Sequence, residues 1–278
     1  MIEIKNLKTG YHVSGHEKIV GNDLNAELKK GELTCLIGPN GSGKSTLLRT
    51  IASFMPKLDG EILIDGRNLD DFSASELSRL ISIVLTDNSS IHNLSVFDVV
   101  SMGRMPYTGF WGTLTANDKQ IVAEAIRMVG IEPLRGRMIH TLSDGERQKV
   151  MIAKALAQQT PIIYLDEPTA FLDYPSKVEM MQLLRRLAHE QQKTIFLSTH
   201  DVELALQLAD CLWLMECVPH SDLQVRECNL SDLQVRESNL LSVGTPRQLA
   251  DNGALSRFVE RDGIVFERDS LTMRVIKS

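Results

Sequence analysis

Nine consecutive residues, Gly38-Pro39-Asn40-Gly41-Ser42-Gly43-Lys44-Ser45-Thr46, combine three glycines, one lysine and three hydroxyls, a set suited to gripping phosphate. Glycine lets backbone amides turn inward without a Cβ clash, and a helix starting at Lys44 would add partial positive charge. The spacing is GxxxxGK(S/T): Lys44 would reach the β- and γ-phosphates of a nucleoside triphosphate, and the Ser45 hydroxyl would ligate Mg²⁺. Farther on, the apolar run Ile162-Ile163-Tyr164-Leu165 ends in Asp166-Glu167. Asp166 would hold Mg²⁺ through water, and Glu167 would orient or deprotonate an attacking water.

Such residues need strands to aim them and helices to cover the strands. Short apolar or β-branched runs recur at Leu33 to Ile37, Ile81 to Leu85, Ile162 to Leu165, Thr194 to Ser198 and Leu212 to Met215. Near-continuous runs of this kind suit a parallel sheet with both faces covered. Ile2, Ile4 and Leu7, together with Glu61 to Asp65, read instead as half-exposed strands of an antiparallel portion. From Asn88 to Gln148 the pattern turns helical, with Ile121, Val122, Ala125, Ile126 and Val129 recurring at three- and four-residue steps. A second amphipathic helix from Ser176 to Gln191 places Val178, Met181, Leu184 and Leu187 on one side.

The 278 residues are 43% hydrophobic and 24% charged, enough for a sizeable core and outside the range of disordered or collagen-like chains. A formal charge of -6 gives no overall drive toward nucleic acid or anionic lipid, so no nucleic-acid partner is expected. No apolar run approaches the roughly 20 residues that span a bilayer, and the opening MIEIKNLKTGY has no signal-peptide core. Cys35, Cys211, Cys217 and Cys228 lack CxxC spacing and read as reduced thiols; Cys217, His220 and Cys228 suggest no fourth metal ligand.

Between the two phosphate-directed segments lies Leu142-Ser143-Asp144-Gly145-Glu146-Arg147-Gln148, which resembles the LSGGQ signature of ATP-binding cassette (ABC) proteins. Read without the family, Ser143 and Glu146 form a capping box for a helix running to Gln158. Asp144 and Glu146 depart from the family's glycine and glutamine, placing negative charge where a phosphate would approach. Tyr11 resembles the residue that stacks on adenine, Phe171-Leu172-Asp173 the D-loop, and His200 the switch histidine that contacts the γ-phosphate. Where the family usually has a glutamine after the strand Ile81 to Leu85, this chain has Thr86, then Asp87 and Asn88. The stretch SMGRMPYTGFWG, Ser101 to Gly112, resembles the ATPases of importers for iron-siderophore, haem and vitamin B12.

The resemblance implies an α/β fold, a P-loop NTPase (RecA-like) core with an antiparallel β subdomain and an inserted α-helical subdomain. It implies one ATPase domain over 1–278: core and β annex in 1–87 and 149–215, helical subdomain in 88–148, and a C-terminal β/α extension in 241–278. Residues 216–240 would be a hairpin insertion, because SDLQVRECNL at Ser221 to Leu230 is nearly repeated as SDLQVRESNL at Ser231 to Leu240. Two copies make no solenoid, and a hairpin tip tolerates added length.

ATP would rest on Tyr11, on Gly38 through Thr46 and, from a second copy arranged head to tail, on Ser143, Gly145 and Glu146, with Asp173 coupling the two sites. Lys44, Glu167 and His200 would be catalytic, and Ser45 and Asp166 would hold Mg²⁺. The further partners implied are an integral membrane permease, docking near Thr86 to Val100, and indirectly an external substrate-binding protein. The chain would sit peripherally at the cytoplasmic face of the inner (plasma) membrane. A nucleotide-dependent regulatory module and an exporter ATPase are the competing expectations.

Overall fold

The computed structural model describes residues 1–13, 16–85, 93–109, 112–170, 172–218 and 238–276. In chain order the strands are β1 (Ile2–Val13), β2 (His16–Leu28), β3 (Leu33–Ile37), β4 (Asp59–Ile64), β5 (Arg67–Asn68), β6 (Ile81–Val84), β7 (Ile162–Asp166), β8 (Thr194–Thr199), β9 (Cys211–Val218), β10 (Ser238–Gly244), β11 (Ile264–Glu267) and β12 (Thr272–Val275). The helices are α1 (Lys44–Ile51), α2 (Ala74–Leu80), α3 (Val96–Ser101), α4 (Ala116–Met128), α5 (Asp144–Ala157), α6 (Tyr174–Gln191), α7 (Val202–Leu208), α8 (Pro246–Asp251) and α9 (Ala254–Val259). The fold is α/β, and its internal contacts group it into two units, residues 1–71 with 198–278, and residues 72–197.

In the first unit, β1 pairs antiparallel with β2 on one side and β4 on the other. Ile2 faces Leu28 and Ile64 in register, and Ile2, Ile4, Leu7, Leu24 and Ile62 are all buried, so this sheet hides one side of its pleat. β3 pairs parallel with β9, with Cys35 opposite Leu212, and β10 returns antiparallel along β9. All five residues of β3 are buried, as a strand covered on both faces requires. The Asp210 carboxylate accepts the Leu33 N–H at 2.8 Å and fixes the start of β3. Burial pushes the Cys35 thiol far up and Cys211 up to about 11, which keeps both as inert thiols.

In the second unit, β6 and β7 are parallel with Ile81 opposite Ile162, and β8 lies on the other side of β7. Tyr164 of β7 and Phe196 of β8 meet edge to face with centroids 6.0 Å apart. The helical period of Val122, Ala125 and Ile126 becomes the buried face of α4. On α6 the buried stripe is wider than expected, since Met180 and Leu183 join Met181, Leu184 and Leu187, while Val178 is only half-buried.

A charge missed by reading for periodicity anchors this unit. Arg104, in the turn Met102–Tyr107, is 4% exposed and its Nε donates to Asp118 at 2.9 Å. Its Nη1 donates to the Ala157 carbonyl at 2.8 Å and to Gln159 Oε1 at 3.0 Å, and the guanidinium stacks 4.1 Å from the Tyr107 ring centroid. One side chain thus ties the turn to the first turn of α4 and the end of α5. Gly103 permits this approach, since a Cβ there would strike the Lys154 carbonyl.

Candidate nucleotide site

The phosphate-loop residues follow from β3. The buried strand ends at Ile37, and the chain then turns through Gly41 and Gly43, whose φ angles of 83° and 91° favour glycine. Gly43 caps α1, and its carbonyl accepts the Leu47 N–H at 2.9 Å. Ser42 N–H donates to the Pro39 carbonyl at 3.2 Å, closing the loop on itself. Lys44 is 5% exposed, and its ammonium donates to the carbonyls of Gly38 and Pro39 at 2.9 and 3.1 Å. The lysine therefore spans the loop from inside. Pro39, Asn40 and Gly41 are exposed, while Ser45 and Thr46 are half-buried on the first turn of α1.

Two residues outside the motif set the floor of this loop. A Cβ on Gly38 would come within 2.8 Å of the Met215 carbonyl of β9, and a Cβ on Gly43 would collide with Val20 of β2. No sequence signal singled out either, since both are ordinary apolar strand residues. Elsewhere in the first unit, Tyr11 is 37% exposed on β1, opposite Lys18 of β2, whose ammonium sits 5.6 Å from its ring centroid. His200 is exposed just after β8, in the turn before α7, where its carbonyl accepts the Val202 N–H at 3.1 Å.

The second unit carries the acidic residues. All five residues of β7 are buried, and the strand delivers Asp166 at 4% exposure. Glu167 follows with a φ of 48°, an uncommon conformation for a non-glycine residue that turns the chain sharply at the strand end. Its carbonyl accepts the Ala170 N–H at 3.1 Å. Asp173 caps α6, accepting the Ser176 N–H at 3.0 Å; the Ser176 hydroxyl first, and then this N–H, hold its carboxyl below the usual carboxylate range.

Ser143 caps α5 through the capping box expected from the spacing. Glu146 N–H donates to Ser143 Oγ at 3.3 Å, and the Glu146 carboxylate accepts the Ser143 N–H at 2.9 Å. That backbone bond lowers the Glu146 pKa. Asp144 is paired rather than bare: Arg147 Nη1 lies 3.1 Å from its carboxylate. Gly145 lies beside Leu172, the middle residue of the sequence-predicted D-loop, so the second unit brings the signature turn and the D-loop together. Thr86, Asp87, Asn88, Phe171, His220 and residues 221–237 lie outside the described residues.

The chain has relatives among known proteins. The ABC transporter family profile matches residues 21–170, more than half of the chain. The chain belongs to the ABC transporter family. This ABC chain is 43% identical over 216 residues to an uncharacterized ABC transporter ATP-binding protein of Methanocaldococcus jannaschii, covering 78% of itself and 73% of the relative. It is 37% identical to the iron(3+)-hydroxamate import ATP-binding protein FhuC of Bacillus subtilis, over 69% of this chain and 72% of that protein. Among solved structures, a dimeric ATP-binding cassette in a post-hydrolysis state with ADP and Pi superposes with a TM-score of 0.68 at 30% identity, covering 77% of this chain and 94% of the other. The ABC chain is accordingly an ATPase of the transporter-coupled type, with a P-loop NTPase core. No helix among its described residues is long and apolar enough to cross a membrane.

Proposed function

We propose that this ABC ATPase powers an importer for iron-siderophore complexes or a related haem or cobalamin ligand. The observation that carries the cargo is the 37% identity to the iron-hydroxamate import protein. We assign the ATPase to residues 1–278, with 88–148 as the helical subdomain bearing the signature, 216–240 as an insertion and 241–278 as an extension. It works at the cytoplasmic face of the membrane, docked on an integral permease that is loaded by an external binding protein.

In this reading Tyr11 stacks on adenine, and the loop from Gly38 to Thr46 wraps the phosphates. Lys44, already buried and spanning the loop, exchanges its carbonyl partners for β- and γ-phosphate oxygens. The hydroxyl of Ser45 and the buried carboxylate of Asp166 are hard oxygen donors that fit Mg²⁺, and they would hold it. When bound, the ion neutralises phosphate charge. Glu167 takes a proton from the attacking water, and His200 steadies the γ-phosphate. Ser143, Gly145 and Glu146 of a second copy close the site head to tail, with Asp173 linking the two sites. Loss of the γ-phosphate removes what bridges the copies, and they separate.

The test is purification of the tagged chain from native membranes, followed by uptake of radioactive ferric siderophore into vesicles holding the captured complex. ATP-dependent uptake supports the proposal. Capture of an exporter, or of a soluble partner alone, would replace it with one of the two competing readings.

A further inference from the structure

In the second unit α4, α5 and α6 wall a cavity of about 390 Å³ that the nucleotide reading leaves unused. Met128 and Leu183 give it apolar wall, and Arg127, Lys149, Glu179 and Arg186 bring charge to it. Three cations therefore face one carboxylate. Lys149 spends its charge on Glu179 at 3.2 Å, across α5 and α6. Arg127 has only a 3.7 Å approach to Glu132, with both side chains more than half exposed, a geometry that holds an arginine weakly. Arg186 makes no ion pair among the described residues. The backbone does not call for a cation either. The closing carbonyls of α4 are occupied, Arg127 O by the Gly130 N–H at 2.9 Å and Ile126 O by the Ile131 N–H at 3.2 Å.

We propose that this cavity binds a small polyvalent anion, a di- or tricarboxylate or a phosphate ester. Two arginines line this partly apolar pocket, and the planar fork of each suits bidentate hydrogen bonds to carboxylate or phosphate oxygens. The ligand takes the forks of Arg127 and Arg186, and its charge draws Lys149 away from Glu179. Because α5 begins at Ser143 and α6 at Asp173, a ligand tying these helices together bears on the two turns that the dimer reading uses. The binding itself stands independently of the cargo and of the permease.

The test is calorimetric titration of the full chain with citrate and, separately, with glucose 6-phosphate, in metal-free buffer and with ADP saturating the phosphate loop. One site with a dissociation constant below ~1 mM is expected for at least one probe, and the probe that binds tells carboxylate from phosphate-ester chemistry. Arg127→Ala with Arg186→Ala should weaken binding by about tenfold or more, since each fork contributes charge-assisted bonds. Both arginines are exposed, so the variant keeps its fold, checked by an unchanged thermal midpoint. Binding of neither probe up to ~10 mM, or binding of equal strength in the double variant, overturns the proposal.

Discussion

Val20 of β2 fills the space that a side chain on Gly43 would need, so the loop's last glycine is fixed from below as well as by its own backbone. Gly43→Ala should therefore fail twice. A left-handed φ costs an alanine roughly 1–2 kcal/mol, and its methyl would drive into Val20. We expect a lower thermal midpoint together with loss of nucleotide binding, read by fluorescent ATP titration. Val20→Ala in the same chain should recover part of the midpoint and little of the binding.

Lys44→Ala removes the ammonium that spans Gly38 and Pro39 as well as the proposed phosphate contact. Tight Mg-ATP binding should disappear in equilibrium dialysis. Retained micromolar affinity would show that the loop binds without it.

Replacing Glu167 by Gln keeps the side chain's size and removes its basicity. If Glu167 is the base, turnover should fall by roughly 100-fold or more while ATP still binds, and a dimer should accumulate in size-exclusion chromatography with ATP. Normal turnover would remove the assignment.

Asp118 gives a pH prediction for the second unit. Its carboxyl is held below the usual range first by the Thr115 hydroxyl and then by the Arg104 guanidinium. A depressed folded-state pKa means the stabilisation is present above the unfolded value of about 3.9 and is lost as pH falls through the lower, folded value. The thermal midpoint of the native chain should thus drop below about pH 4 more steeply than that of Asp118→Asn. The variant should be less stable at pH 7, because Arg104 is then buried without its counter-charge.

If the repeat is the hairpin insertion that its sequence suggests, deleting one copy, residues 221–230, should leave ATPase activity within about twofold. The paired ends remain, since Val218 and Ser238 are in register. A large loss of membrane-complex assembly in this variant would make the repeat a docking element.

Much of this arrangement was legible in the sequence because the same residues make the element and the site. The expected strand Leu33 to Ile37 is β3 as printed in the chain, and the helix expected at Asp118 to Val129 is α4, two residues earlier at its start. The GxxxxGK(S/T) spacing places Lys44 on α1, and the Ser143 box caps α5. What escaped were long-range matters. Val20 and Met215 carry no motif, and only the sheet brings them under the glycines. Arg104 stood only inside the stretch Ser101 to Gly112, and nothing local reveals that Asp118 and the end of α5 await it. Asp144 read as bare negative charge, yet Arg147, three residues on, is its partner.

The box at Ser143 has a consequence for any phosphate arriving from a second copy. The cap of α5 already holds a carboxylate, since Glu146 accepts the Ser143 N–H and hydroxyl at 2.9 and 3.1 Å. In the head-to-tail reading, closure is then a ligand exchange in which one internal anion yields to an external one. In that reading the Ser143 N–H and hydroxyl are not left bare between cycles, and what closing gains from them is only the difference between the two anions. In that reading Glu146 is a tethered competitor, present at an effective concentration that no dilution of the protein can lower.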